Sequence, residues 1–311
     1  MNVIIPAQSK PHLSSSKPWI GRFAPSPSGP LHLGSLVAAL ASFFIAKQNA
    51  GTWLVRIEDI DLPRTVKGSA KSILDCLELF GLHWDGEIIY QSQRNELYQE
   101  KFEQLKKQNR LYQCDCSRKD ILERSQGTYD DFCSARSLSS AKEQATRIKF
   151  SDGFQTFNDQ ILTRCQFNSK ADRQDYIIKR RDGLFAYQLA VVVDDMEQGV
   201  NHVVRGQDIL DSTPRQNFIY HCFSKEPPLY YHLPLVKNKQ GIKFSKRSGA
   251  LALDKNRVTA ILLEALDHLG QKIDHQMQSA SAEEIVNYFI KHWQSDRVSN
   301  TFEKLINLNS G

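Results

Sequence analysis

The feature that most restricts this chain is the stretch Arg22-Phe23-Ala24-Pro25-Ser26-Pro27-Ser28-Gly29-Pro30-Leu31-His32-Leu33-Gly34-Ser35-Leu36. Before it, Trp19 to Ala24 reads as a buried strand; after it, the apolar run Leu36 to Ala46 reads as a helix, stopped by Asn49-Ala50-Gly51. The loop therefore delivers the chain from a strand end to a helix N-terminus, whose free N–H groups and partial positive charge bind phosphate. Gly29 and Gly34 leave room for a nucleotide against the backbone, and the three prolines hold the loop in shape before a ligand arrives. A nucleotide site on an α/β fold is the expectation.

The rest of the chain supports that class. Thr52 to Glu58 is β-rich and places charged side chains at its C-terminal end, where ligands sit in open α/β sheets. Helices are expected over Ser72 to Phe80 and through Leu97, Tyr98, Phe102 and Leu105. Leu111 to Lys149 is polar and cysteine-bearing and reads as an insertion between two halves of a nucleotide fold. Gly183 to Val193 supplies a buried strand or a helix start that Asp194-Asp195 ends, and Asn201 to Asp208 reads as the strand opening the second half of the sheet. Helical periodicity returns in Val258 to Leu269 and after Ser281-Ala282-Glu283-Glu284, which has the form of a capping box. The expected organisation is a tail over 1–18, the first catalytic half over 19–110, the insertion and connecting region over 111–194, the second half over 195–250 and a short helical region over 251–311.

Composition enters as a bound on partners. The 311 residues carry a net charge of +5 and a pI near 8.8, which permits contact with RNA or another polyanion without requiring it. Residues 1–18 lack the basic start and long apolar core of a signal peptide, and Leu36 to Ala46 is too short to span a bilayer. A cytoplasmic address with no membrane association is expected, and six cysteines then argue for thiols or a metal site over a disulfide framework. Cys114-Asp115-Cys116, with Tyr129 and Cys133 downstream, gives the pattern Cys-x-Cys-x12-Tyr-x3-Cys. Two thiolates one residue apart can chelate an ion from a tight turn, and tetrahedral zinc takes a third sulfur and a fourth donor. Cys76, Cys165 and Cys222 have no partner pattern and read as buried or neutral thiols, and His83, His202, His221 and His232 read as structural.

His32-Leu33-Gly34-Ser35 resembles the HIGH signature of the class I aminoacyl-tRNA synthetases, and the whole string from Arg22 to Gly34 resembles their glutamyl branch. Lys243-Phe244-Ser245-Lys246-Arg247 resembles the KMSKS signature of the same class, with Phe244 in place of the usual Met or Leu; its lysine charges can neutralise a departing pyrophosphate. The resemblance, over roughly residues 19 to 270, implies a Rossmann-type catalytic domain with a zinc-bearing insertion and a short helical C-terminal region. It implies His32, Lys243 and Lys246 as catalytic groups, and Pro25, His32, Gly34, Ser35 and Lys246 around ATP with Mg²⁺. It places Arg22, Ser26, Glu58, Tyr187 and Arg205 around L-glutamate, where guanidinium can grip carboxylate in bidentate fashion and Glu58 can pair with the substrate ammonium.

The cysteine spacing is similar to that of the glutamyl-Q tRNA(Asp) synthetases, a subgroup lacking the anticodon-binding domain, and this implies Cys114, Cys116, Tyr129 and Cys133 as ligands of one Zn²⁺. The implied activity is tRNA-independent formation of glutamyl-adenylate, then transfer of glutamate to queuosine in the anticodon stem-loop of tRNA(Asp). About sixty residues follow the Lys243 to Arg247 loop, too few for a large anticodon-reading domain. Two rivals stay open: a shortened glutamyl-tRNA synthetase charging a tRNA 3′ end, and a HIGH-superfamily nucleotidylyltransferase with a small acceptor.

Overall fold

The computed structural model describes residues 18–136, 138, 143–167, 169, 172, 174–235 and 252–298. Lys243 and Lys246 lie outside the described residues.

Strand β1 (Ile20–Phe23) is followed by α1 (Leu33–Gln48), β2 (Thr52–Ile57), α2 (Ser69–Leu79), β3 (Ile89–Tyr90) and α3 (Asn95–Lys107). Helix α1 begins three residues earlier than the apolar pattern alone predicts. His32 caps it: the ring Nδ1 accepts from the Ser35 N–H at 3.3 Å, beside the 2.9 Å bond from the same N–H to the His32 carbonyl that closes the first turn. Gly51 ends the turn after α1 against β1; a Cβ there would sit 2.6 Å from the Trp19 carbonyl oxygen, so only glycine fits.

The next region holds β4 (Leu111–Cys114), α4 (Arg118–Ser125), β5 (Ala145–Ile148), β6 (Thr156–Asp159), β7 (Thr163–Gln166) and β8 (Tyr176–Lys179). It does not behave as one body: β4, β5 and β8 form an antiparallel sheet of their own, while β6 and β7 extend the main sheet. The chain then runs through α5 (Tyr187–Glu197), β9 (His202–Gly206), α6 (Thr213–Cys222), β10 (Leu229–Leu233), α7 (Val258–His268) and α8 (Ala282–His292). Helix α8 starts at the expected capping box, with Ser281 accepting from the Glu284 N–H and Glu284 accepting from the Ser281 N–H.

The main sheet has the order β3-β2-β1-β9-β10-β6-β7, parallel except for the β6–β7 pair. Its first half winds outward from β1 to β3 and its second half outward from β9 to β10, so the connections diverge between β1 and β9. That is the switch point at which a crevice opens beyond the carboxyl ends of the strands. Helix α1 covers β1 and β9 on one side and packs against α7 and α8 on the other. A helix enclosed in this way is apolar all round: Leu36, Ala39, Leu40, Ala41, Phe44 and Ala46 are inaccessible to solvent, and Trp293 stacks on Phe44 at 5.2 Å. Among the described residues no helix is long and apolar enough to cross a membrane.

The residues 183–193 resolve as a short turn and then α5, and Asp194 and Asp195 do not end the buried run as expected. They lie inside the last turns of α5 at 0% and 3% exposure. Buried carboxylates require partners, and theirs come from β1, β2 and α3.

Candidate active site

A cavity of about 720 Å³ opens at the β1/β9 switch point. One wall is the loop after β1 with the start of α1, contributing Pro25, Ser26, His32, Gly34 and Ser35; the others bring Arg22 from β1, Glu58 from just beyond β2, Tyr187 from the first turn of α5 and Arg205 from β9. Every described residue expected around glutamate and ATP thus faces one space. Of the two loop glycines only Gly34 is on the cavity wall. Gly29 instead takes φ +136°, and Ser69 both donates to its carbonyl at 2.6 Å and accepts from its N–H at 3.0 Å. The loop is also tied to β2, where the Glu58 N–H donates to the Pro25 carbonyl at 3.0 Å.

Beneath the cavity floor lies a buried ionic network that sequence reasoning missed. Arg56 is inaccessible to solvent and places its guanidinium 2.7 Å from Asp195, 3.4 Å from Glu58 and 3.6 Å from Asp194. Arg22 reaches Asp195 at 3.2 Å, and Arg94 reaches Asp194 at 2.7 Å. Gln91 and Tyr98 donate to the same Asp194 carboxylate at 2.7 and 2.8 Å. Burial opposes charge on Arg56, but the three carboxylates outweigh it and the guanidinium stays protonated. For Asp195, too, burial favours the neutral form, and Arg22 and Arg56 reverse it, holding the carboxyl below its usual range. Glu58 goes the other way: burial pushes its carboxyl up to about 7, against the pull of Arg56 and Arg22. Tyr187, half-buried on the cavity wall near Arg205, has its hydroxyl pKa raised by desolvation and remains a donor.

Arg205 is held differently. Its Nε donates to His232 Nε2 at 3.0 Å, one terminal nitrogen to Gln216 Oε1 at 2.7 Å and the other to Thr213 Oγ1 at 2.7 Å. All three acceptors are neutral, and among the described residues no carboxylate pairs with this 5% exposed guanidinium. A buried cation oriented by neutral acceptors at a cavity wall is prepared for an anion from outside.

The family model for the catalytic domain of class I tRNA synthetases (E and Q) matches residues 20–307. A glutamyl-Q tRNA(Asp) synthetase of Vibrio vulnificus (strain YJ016) is 43% identical over 96% of this chain and 97% of its own length. One from Escherichia coli (strain K12) is 47% identical over 89% of each chain. The chain belongs to the glutamyl-Q tRNA(Asp) synthetase family. Among solved structures, a glutamate tRNA ligase of Elizabethkingia meningosepticum in complex with its amino acid superposes with a TM-score of 0.77 at 25% identity, over 91% of this chain and 66% of that one. The protein is an α/β class I synthetase and a ligase.

In this synthetase the Cys114, Cys116 and Cys133 thiols converge, their sulfur atoms all within 4.8 Å of one another. Zn–S bonds of ~2.3 Å in a tetrahedron put sulfurs ~3.8 Å apart, so the donor set fits zinc. Cys114 ends β4, Cys116 precedes the Ser117 cap of α4, and Cys133 lies four residues beyond Tyr129, whose phenol oxygen accepts from the Cys133 N–H at 3.1 Å. Each thiol meets one arginine: Arg147 Nε lies 3.2 Å from Cys114, and terminal nitrogens of Arg124 and Arg136 lie 3.5 and 3.7 Å from Cys116 and Cys133. Three thiolates and a phenolate around Zn²⁺ leave net negative charge, which these cations would balance. The cluster is a small satellite core of its own. The remaining cysteines are as expected, with burial pushing the Cys76 and Cys165 thiols up to about 11 and about 12.

Proposed function

We propose that this synthetase activates L-glutamate with ATP, without RNA, and transfers it to the cyclopentenediol of queuosine in the tRNA(Asp) anticodon stem-loop. The observation that carries the glutamate assignment is Arg205, a buried guanidinium whose described partners are all neutral. A glutamate side-chain carboxylate supplies the missing anion, while Glu58 receives the substrate ammonium, Tyr187 donates its hydroxyl, and Arg22 and Ser26 complete the pocket. Binding of the ammonium draws Glu58 fully into its ionised form, from a carboxyl that titrates at about 7 when the site is empty.

In the first step the substrate's α-carboxylate oxygen attacks the α-phosphorus of ATP; the bond to the β,γ-diphosphate breaks, giving glutamyl-adenylate and pyrophosphate. No protein nucleophile is needed. Pro25, His32, Gly34 and Ser35 form the wall on which ATP would lie, at the N-terminus of α1, and Mg²⁺ with Lys243 and Lys246 would balance charge on the departing pyrophosphate. In the second step a queuosine hydroxyl oxygen attacks the acyl carbon; the bond from that carbon to the phosphate oxygen breaks, AMP leaves, and the hydroxyl proton is released with it, giving the ester. Zinc, held by Cys114, Cys116, Cys133 and Tyr129, would order the insertion and take no part in either step.

The relatives' shared name supports the acceptor, and the cytoplasm is the proposed setting of the reaction. Glutamate-dependent ATP–pyrophosphate exchange, run with and without RNA, tests the first step; a labelled-glutamate transfer assay with the queuosine-containing hairpin tests the second. The expected result is exchange without RNA, transfer to the modified hairpin, and none to the same hairpin bearing guanosine. Charging of tRNA(Glu) at its 3′ end with an inert modified hairpin would replace this reading by that of a shortened glutamyl-tRNA synthetase.

A further inference from the structure

Arg205, His232 and Asp159 stand on three adjacent strands. In the parallel pairing of β9 with β10, His232 is the register partner of Arg205; in that of β10 with β6, Asp159 is the partner of Tyr230, two residues before His232. The three side chains meet in the sheet interior, with the imidazole and the carboxylate at 0% side-chain exposure. The Asp159 carboxylate accepts from the Ile161 and Leu162 N–H groups at 2.9 and 2.8 Å, from the His232 N–H at 3.2 Å and from His232 Nδ1 at 2.6 Å. An Nδ1–H donated to Asp159 leaves Nε2 as an acceptor, and that atom faces Arg205 Nε at 3.0 Å and the Thr213 hydroxyl at 3.2 Å. The opposite tautomer would set N–H against N–H.

Resting on the assignment of Arg205 to the substrate carboxylate, we propose that Asp159 and His232 are positioning residues for glutamate, acting through Arg205 by fixing the plane and leaving unspent the charge of its guanidinium. The arrangement solves a specific problem. A carboxylate placed directly on Arg205 would orient it but also neutralise it. Setting the carboxylate one imidazole away orients the guanidinium through a neutral acceptor instead. Burial lowers the His232 pKa, which keeps the imidazole in that neutral state. Guanidinium has five N–H donors; His232, Gln216 and Thr213 take three, and the two that remain, one on each terminal nitrogen, are the number a bidentate carboxylate needs. The Gln216 amide is itself turned by donating to Gln188 Oε1 at 3.1 Å, so its oxygen is the end that meets Arg205.

The test uses Asp159→Asn, His232→Leu, His232→Gln and Arg205→Ala in the full-length protein, with KM for glutamate and for ATP measured by pyrophosphate exchange and melting temperature by calorimetry. Asp159→Asn puts an amide donor where Nδ1–H points and selects the wrong tautomer. The KM for glutamate should rise about ten- to a hundredfold, as for loss of a hydrogen bond to a charged group, while that for ATP stays within about twofold. His232→Leu should do the same. His232→Gln, whose amide can donate to Asp159 and accept from Arg205, should stay within about threefold of the parent. If Arg205→Ala alone raises the KM for glutamate, the positioning role is overturned and the pocket assignment stands; if Arg205→Ala has no effect, the pocket assignment falls with it. A parallel rise of both KM values in Asp159→Asn marks general loosening of the sheet and also overturns the role. Should His232→Leu fail to fold, Asp159→Asn and His232→Gln decide the matter.

Discussion

Replacing Arg56 by Met separates the two tasks of the ionic network, holding the fold and setting the charge of Glu58. Methionine has about the length of the arginine stem and fills the volume, but it leaves Asp195, Asp194 and Glu58 without a shared cation. Removing one partner of a buried ion pair costs about 3–5 kcal/mol. The lower end applies here, because Asp195 keeps Arg22 at 3.2 Å and Asp194 keeps Arg94 at 2.7 Å. In a protein of this size each kcal/mol moves the melting temperature by roughly 2–4 °C, so a loss of roughly 6–12 °C is expected by calorimetry. Glu58 loses its nearest cation, and its carboxyl should climb further above about 7. The KM for glutamate at pH 7 should therefore rise more than at pH 8.5. A melting temperature within about 2 °C of the parent, with an unmoved pH profile, would refute the account of the network. Arg56→Lys, which keeps the charge but reaches fewer carboxylates, should fall between the two.

In the parent, binding that requires the Glu58 carboxylate should make the KM for glutamate about tenfold higher at pH 6 than at pH 8, since a group titrating near 7 is mostly protonated at the lower value; a flat profile removes Glu58 from the ammonium site. The same group acts on stability in the opposite sense without substrate. Its folded pKa is above the ordinary 4.5, so its contribution is present below that value and is lost as pH rises through about 7, which chemical denaturation of Glu58→Gln against the parent will register. Lys246→Ala should lower the turnover number for pyrophosphate exchange at least a hundredfold with little change in glutamate affinity, because its charge is needed where pyrophosphate departs; an unchanged turnover number excludes it. The purified protein should hold one Zn²⁺ per chain by elemental analysis. Cys133→Ser should lose it while pyrophosphate exchange persists, and Arg147→Met should weaken zinc retention in competition with a chromophoric chelator.

What the sequence by itself determined were the features whose causes are local. The prolines and glycines between Arg22 and Leu36 mark a strand, a rigid loop and a helix start whichever way the rest of the chain folds, and the structure has β1, the loop and α1 there. The Ser281 capping box is likewise complete within four residues. The cysteines announced themselves by spacing, and three of them converge. Only tertiary structure could decide the electrostatics. Asp194 and Asp195 look in sequence like a polar stop, and a carboxylate at a helix end usually is one. Here Asp195 is held by Arg22 and Arg56, 173 and 139 positions away, and Asp194 by Arg56 and Arg94, with Arg22 and Arg56 brought beneath the cavity by parallel strands. His232 gave no more signal than any other histidine, because its role depends on its register beside Arg205 and on Asp159, 73 residues upstream on a strand that joins the main sheet from within the insertion. Periodicity tells which face of an element is apolar. Whether a charge on that face meets water, a counter-charge or a substrate depends on which distant strands become its neighbours, and that is settled only when the sheet closes its order.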